Sequence, residues 1–190
     1  MVTTNRKIRF GIIGCGRISK IHTSVLSRIP NASIAAVCDI VEERTKDYAQ
    51  KFKCCYYTEY KELIKSKGID VVNVCTPTYL QADMAVDAAK SGKHVVTEKP
   101  MAATLADADR MIEACKKNGV KLFVVKQNRY NPPIIKLKEA LDAGQFGKIF
   151  YGKTSVYWQR DQRYYDEHVW FRTRHMGGGV LINQASHNID

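Results

Sequence analysis

Short apolar runs alternate with longer amphipathic stretches from the N-terminus to about residue 125. The runs predict strands at residues 6–13, 33–38, 55–57, 70–75, 94–97 and 121–125. The stretches between them predict helices at residues 17–28, 41–52, 60–66, 80–91 and 105–118. Strand–helix alternation at this spacing is typical of βαβ units, so we predict an α/β fold with a doubly wound parallel sheet.

The apolar pattern also predicts which surfaces of the first elements are buried. The near-continuous apolar run at 33–38 indicates a strand covered by helices on both faces of the sheet. One face of the first helix is predicted to be buried, and its apolar residues recur three or four positions apart: Ile18, Ile21, Val25 and Ile29.

The pattern changes after residue 126. Pro132 and Pro133 open a predicted helix that runs to about residue 143. The alternating segment 149–158 then predicts a strand that belongs to a different sheet. We therefore expect a domain boundary between residues 126 and 127.

The end of the chain has less regular patterning. Residues 159–179 are polar, aromatic and loop-like, and residues 180–190 predict the beginning of a helix. The preceding strand would leave an apolar face without cover, which is unfavourable in water. We therefore expect residues 1–126 to form one complete domain and residues 127–190 to be the truncated start of a second.

The chain is basic, with a formal net charge of +11 at pH 7. Its lysines and arginines are scattered, so a basic surface or attraction for a phosphorylated small molecule explains them as well as a nucleic acid would. We expect no nucleic-acid partner. No apolar run approaches the roughly 20 residues that cross a bilayer, and residues 1–9 lack the apolar core of a signal peptide. We expect a cytoplasmic protein without membrane association.

The sequence contains six cysteines, none of them in a Cys-x-x-Cys pair: Cys15, Cys38, Cys54, Cys55, Cys75 and Cys115. Several lie inside apolar runs, where a thiol behaves as a small buried hydrophobic group. We therefore expect neither a disulfide framework nor a zinc site, and no other bound metal.

A glycine-rich turn between the first strand and the first helix predicts a dinucleotide site of the Rossmann type. Gly14 permits a tight turn, and Gly16 lets the backbone approach a pyrophosphate. The helix that begins at Arg17 and Ile18 then presents backbone N–H groups to the phosphate charge. Ser19 replaces the usual third glycine or alanine and is small enough to keep helix and strand close.

Asp39 follows the second predicted strand, where a carboxylate accepts hydrogen bonds from the adenosine ribose and repels a 2′-phosphate. This favours NAD over NADP as the cofactor. Arg44 and Lys46 lie nearby and leave NADP as the alternative. A glycine turn without a ligand, with Asp39 capping a helix, is the other interpretation of the same residues.

Thr76-Pro77-Thr78 and Glu98-Lys99-Pro100 make the chain resemble the Gfo/Idh/MocA oxidoreductase family over nearly all of its 190 residues. The resemblance implies an N-terminal nucleotide-binding domain and a C-terminal α/β domain with a mostly antiparallel sheet. It implies hydride transfer from a sugar or cyclitol hydroxyl to the nicotinamide, with Thr76, Pro77 and Glu98 in the cofactor site.

The same resemblance places Lys99 beside the substrate hydroxyl. A lysine at the carboxyl edge of a parallel sheet lies where ligands bind in such folds. Its ammonium can be shifted toward neutrality by burial and can then bond a developing alkoxide. A solvated loop lysine that pairs with Glu98 is the structural alternative.

Residues 177–190 resemble the family's glycine-rich stretch leading into a helix that carries Asp-x-x-x-His. His187 matches the histidine and implies a second catalytic residue, whereas Asn183 stands where many members have aspartate. The two are four positions apart and would share one helix face. A neutral amide can orient a hydroxyl but cannot raise the pKa of a histidine as a carboxylate does.

The segment 127–131 and the run from Trp158 to Tyr165 are similar to the nucleotide-sugar branch of the family. That branch implies oxidation at C3 of UDP-N-acetylglucosamine or its uronate. Arg160 is then expected to pair with a diphosphate or carboxylate, and Tyr164 to stack on sugar or uracil. A solvated arginine and a tyrosine at a subunit contact are equally compatible with the sequence.

The expected function is therefore NAD-dependent oxidation of a nucleotide-linked sugar, with Lys99 and His187 handling the proton. An inositol or free-sugar dehydrogenase of the same family is one alternative. A non-catalytic NAD-binding regulator is another. The resemblance also implies a homodimer or homotetramer for the full-length protein.

Overall fold

The computed structural model describes residues 6–190. The chain divides into two compact units, the first ending at Val124 and the second spanning Val125–Asp190. The first unit alternates strands and helices in this order: β1 Ile8–Ile13, α1 Arg17–Leu26, β2 Ala32–Cys38, α2 Glu42–Phe52, β3 Cys55–Tyr57, α3 Tyr60–Lys65, β4 Val71–Val74, α4 Thr78–Lys90, β5 His94–Thr97, α5 Leu105–Lys117 and β6 Leu122–Val124.

The six strands form one sheet with the order β3-β2-β1-β4-β5-β6, and every neighbouring pair is parallel. The strand order reverses between β1 and β4, because the chain first winds outward on one side and then returns to wind outward on the other. Ligands of such sheets bind at this reversal, beyond the carboxyl ends of the strands. The predicted doubly wound parallel sheet is confirmed.

Side chains from alternate strand positions pack on opposite faces of the sheet. On one face, Val72 and Val95 are fully buried in a cluster with Leu63 of α3 and Met111 of α5. On the other face, strand residues such as Ile12 pack with α1 in a second cluster. Because helices cover both faces, the central strands bury their side chains on both sides.

The predicted apolar face of α1 is wrong. The buried residues of this helix are Ser19, Thr23 and Leu26, while Ile18 is half-buried. Three of the predicted members are exposed: Ile21, Val25 and Ile29. The helix turns its small polar side to the sheet, since the Ser19 hydroxyl donates to the Gly16 carbonyl (2.8 Å) and the Thr23 hydroxyl to the Ser19 carbonyl (2.8 Å). Hydroxyl groups satisfied in this way can be buried at low cost.

The second unit consists of short helical segments. They are α6 Pro132–Asp142, α7 Gln162–Glu167, a π-helical segment Val180–Ala185 and α8 Ser186–Ile189, with 3₁₀ turns at Gln127–Tyr130, Val169–Arg172 and Arg174–Met176. The helix predicted to begin at Pro132 is confirmed. Within residues 6–190, no helix has both the length and the apolar character needed to cross a membrane.

The strand predicted at residues 149–158 is wrong, because this segment has no regular secondary structure. A strand needs a neighbour that pairs its backbone N–H and C=O groups, and a lone strand is not stable. The second unit contains no strand anywhere in Val125–Asp190 that could act as this neighbour. Alternating polarity alone therefore does not produce a strand here.

Candidate functional site

The predicted cofactor residues follow the carboxyl ends of the sheet strands. Gly14 comes directly after β1 and Asp39 directly after β2. Thr76 lies two residues beyond β4, and Glu98 directly follows β5. Because all strands are parallel, these residues lie at one edge of the sheet. The first unit thus brings its predicted site residues together at the position where dinucleotides bind in this architecture.

Gly14 makes a turn that requires glycine. Its φ of +95° lies in the left-handed region, and its amide donates to the Cys38 carbonyl at 2.7 Å. A Cβ at this position would lie 2.7 Å from the Cys75 carbonyl oxygen. The loop after β1 therefore passes directly against the end of β4, and no side chain fits between them.

The start of α1 leaves room for a ligand. A Cβ built at Gly16 would meet no described atom within 4 Å. No side-chain hydrogen bond from residues 6–190 caps the helix at Gly16, and no acidic residue occupies its first turn. A helix N-terminus of this kind attracts anions through its backbone N–H groups and its dipole. The turn therefore fits a pyrophosphate, with exposed Arg17 and half-buried Ile18 in the first turn.

Ser19 connects α1 to α2. Its side chain is fully buried and its hydroxyl lies 3.0 Å from the Tyr48 hydroxyl. Glycine or alanine would also fit the close packing but could not make this bond. The third fingerprint position thus keeps its small size and adds a polar link between the two helices.

Asp39 is held by two backbone amides. One carboxylate oxygen accepts from the Cys15 N–H at 2.7 Å and the other from the Val41 N–H at 2.9 Å, while the Arg44 guanidinium lies 4.0 Å away. The bond to Val41 stabilises the turn that leads into α2, but it is not a helix cap, because Val41 is itself the N-cap residue and no side chain of residues 6–190 caps this helix. A carboxylate has about four lone-pair positions, so these two bonds leave acceptor capacity for ribose hydroxyls.

The cysteines of this region are thiols at neutral pH. Burial, together with the nearby Asp39 carboxylate, raises the pKa of Cys15 to about 12 and that of Cys38 to about 12. Only the thiolate is a strong nucleophile or metal ligand, so these groups act as small apolar side chains. Among residues 6–190 no group of three or more His, Cys, Asp or Glu side chains is arranged to hold a metal ion.

Gln81, which the sequence analysis missed, holds the end of β4 to the end of β5. Its side chain is almost fully buried and donates to the Thr76 carbonyl at 3.3 Å, while its amide oxygen accepts from the Thr97 hydroxyl. Pro77 follows Thr76 and forms the N-cap of α4. The sequence did contain a signal for this residue, because Gln81 lies among the alanines of α4 and a buried amide requires hydrogen-bond partners.

The Glu98-Lys99-Pro100 segment contains a buried carboxylate and a half-buried lysine. Glu98 accepts from the Lys99 backbone N–H at 3.1 Å, and its other oxygen lies 2.7 Å from His22 Nε2. The Lys99–Pro100 peptide bond is cis. Both carboxylate oxygens of Glu98 therefore have partners within the first unit.

His22 and Asn73 were also missed by the sequence analysis. Asn73 lies inside β4 and donates from its amide nitrogen to His22 Nδ1 at 3.0 Å. The signal was present, because Asn73 interrupts an otherwise apolar strand and a buried amide requires a partner. Which residue provides that partner is decided by helix α1, far away in the sequence.

In the second unit, the turn at Gln127–Tyr130 holds the C-terminal segment. Gln127 Nε2 lies 3.4 Å from His187 Nδ1, and the Asn128 amide donates to the His187 carbonyl at 3.2 Å. Arg129 makes a bidentate ion pair with Asp190, with both distances 2.7 Å. His187 is thus positioned by residues from the beginning of its own unit.

The single helix predicted for residues 180–190 is a π-helical segment followed by the short α8. Asn183 lies in the π-helical part and is buried, whereas His187 lies in α8 and is half-buried. Wider π turns are often found at functional sites. Gly178 precedes them in a position where a Cβ would overlap the Trp170 carbonyl oxygen.

Arg160 and Tyr164 lie next to each other. The Arg160 guanidinium carbon is 4.9 Å from the centre of the Tyr164 ring and 5.3 Å from that of Trp158. Gln184 joins them, since it accepts from Arg160 at 3.2 Å and donates to the Tyr164 hydroxyl at 2.6 Å. Phe171 stacks on Tyr164 with the ring centres 4.8 Å apart.

Comparison with protein families gives two matches along the chain. Residues 8–126 match the family described as oxidoreductase family, NAD-binding Rossmann fold. Residues 134–190 match the GFO/IDH/MocA C-terminal domain. The first match alone covers more than half of the chain, and it includes every cofactor residue predicted from the sequence.

The crystal structure of the WlbA dehydrogenase from Bordetella pertussis, in complex with NADH and UDP-GlcNAcA, is 38% identical with a TM-score of 0.94, over 98% of this chain and 54% of that one. The corresponding complex of the Chromobacterium violaceum WlbA dehydrogenase is 36% identical with a TM-score of 0.95, over 100% of this chain and 56% of that one. Myo-inositol 2-dehydrogenase of Thermotoga maritima is 39% identical over 74% of this chain and 42% of its own length. The chain spans about half the length of these relatives.

Proposed function

The chain belongs to the GFO/IDH/MocA oxidoreductase family, and we propose that it oxidises a hydroxyl group of a nucleotide-linked sugar with NAD. The proposed reacting group is the C3 hydroxyl of a UDP-linked N-acetylhexosamine or its uronate. The similarity to two dehydrogenases bound to NADH and UDP-GlcNAcA, over 98% and 100% of this chain, is the observation that carries this choice.

The residues of the first unit fit NAD. Gly14 allows the tight turn against the end of β4, Gly16 leaves space beside the backbone at the start of α1, and the helix N-terminus favours the pyrophosphate charge. The Asp39 carboxylate at the end of β2 keeps acceptor capacity for the ribose. When bound, NAD supplies the hydride acceptor for the reaction.

Lys99 and His187 are the proposed proton-handling groups. Lys99 directly follows the buried Glu98, to which its backbone is bonded. As the hydroxyl is oxidised, its proton passes to one of these two side chains. Asn183, a neutral amide, orients the substrate hydroxyl in this proposal and does not increase the basicity of His187.

Arg160 and Tyr164 are the proposed contacts of the nucleotide part. A guanidinium offers a planar set of donors that matches phosphate or carboxylate oxygens. A planar base that stacks on Tyr164 would take the place of Phe171 or of the Arg160 guanidinium, which lie against this ring in the structure. The bond between Gln184 and the Tyr164 hydroxyl limits the rotation of that ring. An anionic, aromatic ligand suits this pair better than a small uncharged cyclitol does.

A second candidate is oxidation of a free cyclitol, favoured by the 39% identity to the Thermotoga maritima myo-inositol 2-dehydrogenase. A non-catalytic NAD-binding regulator is the third. An assay of NADH formation, measured as NADH absorbance, distinguishes the three candidate functions. The panel of substrates contains UDP-N-acetylglucosamine, its uronate, myo-inositol and free hexoses. We expect turnover with a UDP-sugar. Turnover with myo-inositol alone contradicts the substrate class, and bound NAD without turnover of any compound contradicts catalysis.

Replacing Asp39 with asparagine is expected to weaken NAD binding by about tenfold, which corresponds to roughly 1.4 kcal/mol. The amide oxygen can still accept from one backbone N–H, but the charge that binds ribose hydroxyls and repels a 2′-phosphate is lost. Discrimination against NADP should therefore fall by about the same factor. Isothermal titration calorimetry with NAD and with NADP measures both constants.

Asp47→Asn is the matched control for this substitution, because it removes an exposed negative charge from α2 without touching the turn. Its NAD and NADP dissociation constants should equal those of the unsubstituted protein. Tighter binding of NADP than of NAD by the unsubstituted protein would contradict the proposed role of Asp39.

A further inference from the structure

Three hydrogen-bonded polar side chains, two buried and the middle one half-buried, lead from β4 through α1 to the end of β5. Asn73 is 2% exposed and Glu98 is 8% exposed, with the His22 imidazole between them. The distances are 3.0 Å from the Asn73 amide nitrogen to His22 Nδ1 and 2.7 Å from His22 Nε2 to Glu98. None of these groups handles the proton in the proposed reaction.

The partners of His22 determine which nitrogen carries its proton. An amide nitrogen only donates, so the Nδ1 atom that faces Asn73 must accept. The Cys75 thiol supports this amide orientation, because it donates to the oxygen of Asn73 at 3.6 Å. His22 Nε2 therefore carries the hydrogen and donates it to the Glu98 carboxylate. Each of the two His22 ring nitrogens therefore has one role: Nδ1 accepts and Nε2 donates.

The last hydrogen bond in this series of polar side chains is made to the backbone of Lys99. One Glu98 oxygen accepts from His22 and the other from the Lys99 backbone N–H. The Glu98 carboxylate is thus held from two sides, and its position limits where the Lys99 backbone can lie. Because α1 begins at the glycine-rich turn, one helix connects the cofactor-binding turn to this lysine.

If His22 and Glu98 only filled space between α1 and the sheet, ionisable side chains would not be needed at these two positions. Burial of a carboxylate is costly unless it is hydrogen-bonded, and apolar side chains of similar volume would pack without that cost. Reactive side chains are commonly held in place by supporting hydrogen bonds of this kind.

We propose that His22 is a positioning residue, which in its Nε2-protonated form holds Glu98 and through it the Lys99 backbone. This inference rests on the proposed function of Lys99. Asn73 determines the tautomer, and Glu98 transmits the restraint. His22 itself contacts neither hydride donor nor acceptor in this proposal.

Two replacements of His22 by amide side chains of different length test the proposal. In His22→Gln, the longer side chain can donate to Glu98 with its NH₂ group. In His22→Asn, the shorter amide can reach Asn73 but not Glu98. We expect kcat to fall by about 100-fold in His22→Asn and by no more than about fivefold in His22→Gln, because small displacements of a reacting group have effects of this size. The NADH dissociation constant should change less than about threefold in both.

Two measurements on the cofactor-free chain do not depend on turnover. Nitrogen-15 NMR of the unsubstituted protein should show His22 protonated at Nε2 and not at Nδ1. Hydrogen exchange of the Lys99 amide should be about tenfold faster in His22→Asn and close to the unsubstituted rate in His22→Gln.

Protonation at Nδ1, or equal exchange of the Lys99 amide in both variants, overturns the role of His22. The NMR result decides this even if a variant does not fold. Failure of the proposed function is distinguishable, since it appears as absence of sugar oxidation by the unsubstituted protein while the His22 measurements keep their expected values.

Discussion

Replacing Lys99 with alanine is expected to lower kcat by about 10³-fold while the NADH dissociation constant stays within about threefold. Loss of a positioned acid–base group costs about 10² to 10⁴ in rate, whereas the turn proposed to bind the pyrophosphate is left intact. Stopped-flow measurement of NADH formation and a fluorescence titration of NADH give the two numbers. Turnover of the alanine variant near the unsubstituted rate would contradict the assigned role.

Two further variants define what Lys99 contributes. Lys99→Arg keeps the positive charge but cannot release a proton near neutral pH. If Lys99 accepts the substrate proton, the arginine variant should be almost as slow as the alanine variant. Lys90→Ala, at the exposed end of α4, removes a lysine that has no place in the proposed site, and its kcat should be unchanged.

Replacing Gly14 with alanine is expected to reduce NAD affinity by about 100-fold, equivalent to roughly 2.7 kcal/mol. It should also lower the free energy of unfolding by about 2–4 kcal/mol. The φ of +95° is unfavourable for alanine, and the new Cβ would lie 2.7 Å from the Cys75 carbonyl oxygen. The turn must therefore move away from β4, and the backbone amides move with it. Denaturant unfolding and isothermal titration with NAD measure these effects.

Gly119→Ala separates the backbone strain at positive φ from the steric clash with β4, the two causes of the expected effects of Gly14→Ala. Gly119 also has a left-handed φ, +65°, but a Cβ there would meet no described atom within 4 Å. We expect a stability loss of about 1 kcal/mol from backbone strain alone and unchanged NAD affinity. If Gly14→Ala binds NAD as well as Gly119→Ala does, the glycine turn is not the pyrophosphate site.

The position of Lys99 and that of the cofactor turn are connected by the same helix. We therefore expect substitutions in α1 to change the proposed reaction without changing a residue proposed to contact substrate. His22 is one such position. Ser19 is another, because its hydroxyl is bonded both to the Gly16 carbonyl and to Tyr48 of α2. In the same unit, the buried Gln81 holds the end of β4 to the end of β5.

The sequence by itself determined the alternation of strands and helices, the glycine turn and the candidate residues Asp39 and Lys99. These features depend on neighbouring residues: the period of apolar positions, the need for glycine at positive φ, and a polar residue directly after a strand. They are decided within a few positions along the chain, and the structure confirms the predicted sheet. The roles of Asp39 and Lys99 in binding and catalysis remain predictions.

Only the tertiary structure decided which side of α1 is buried, whether residues 149–158 form a strand, and which polar side chains meet. His22 joins Asn73 and Glu98, which lie 51 and 76 positions further along the chain. Ile21 is exposed because the glycine turn and the buried Ser19 set the rotation of the helix. Segment 149–158 lacks a pairing neighbour among Val125–Asp190. Each outcome depends on surfaces contributed by distant segments, and hydrophobic period along one segment carries no information about them.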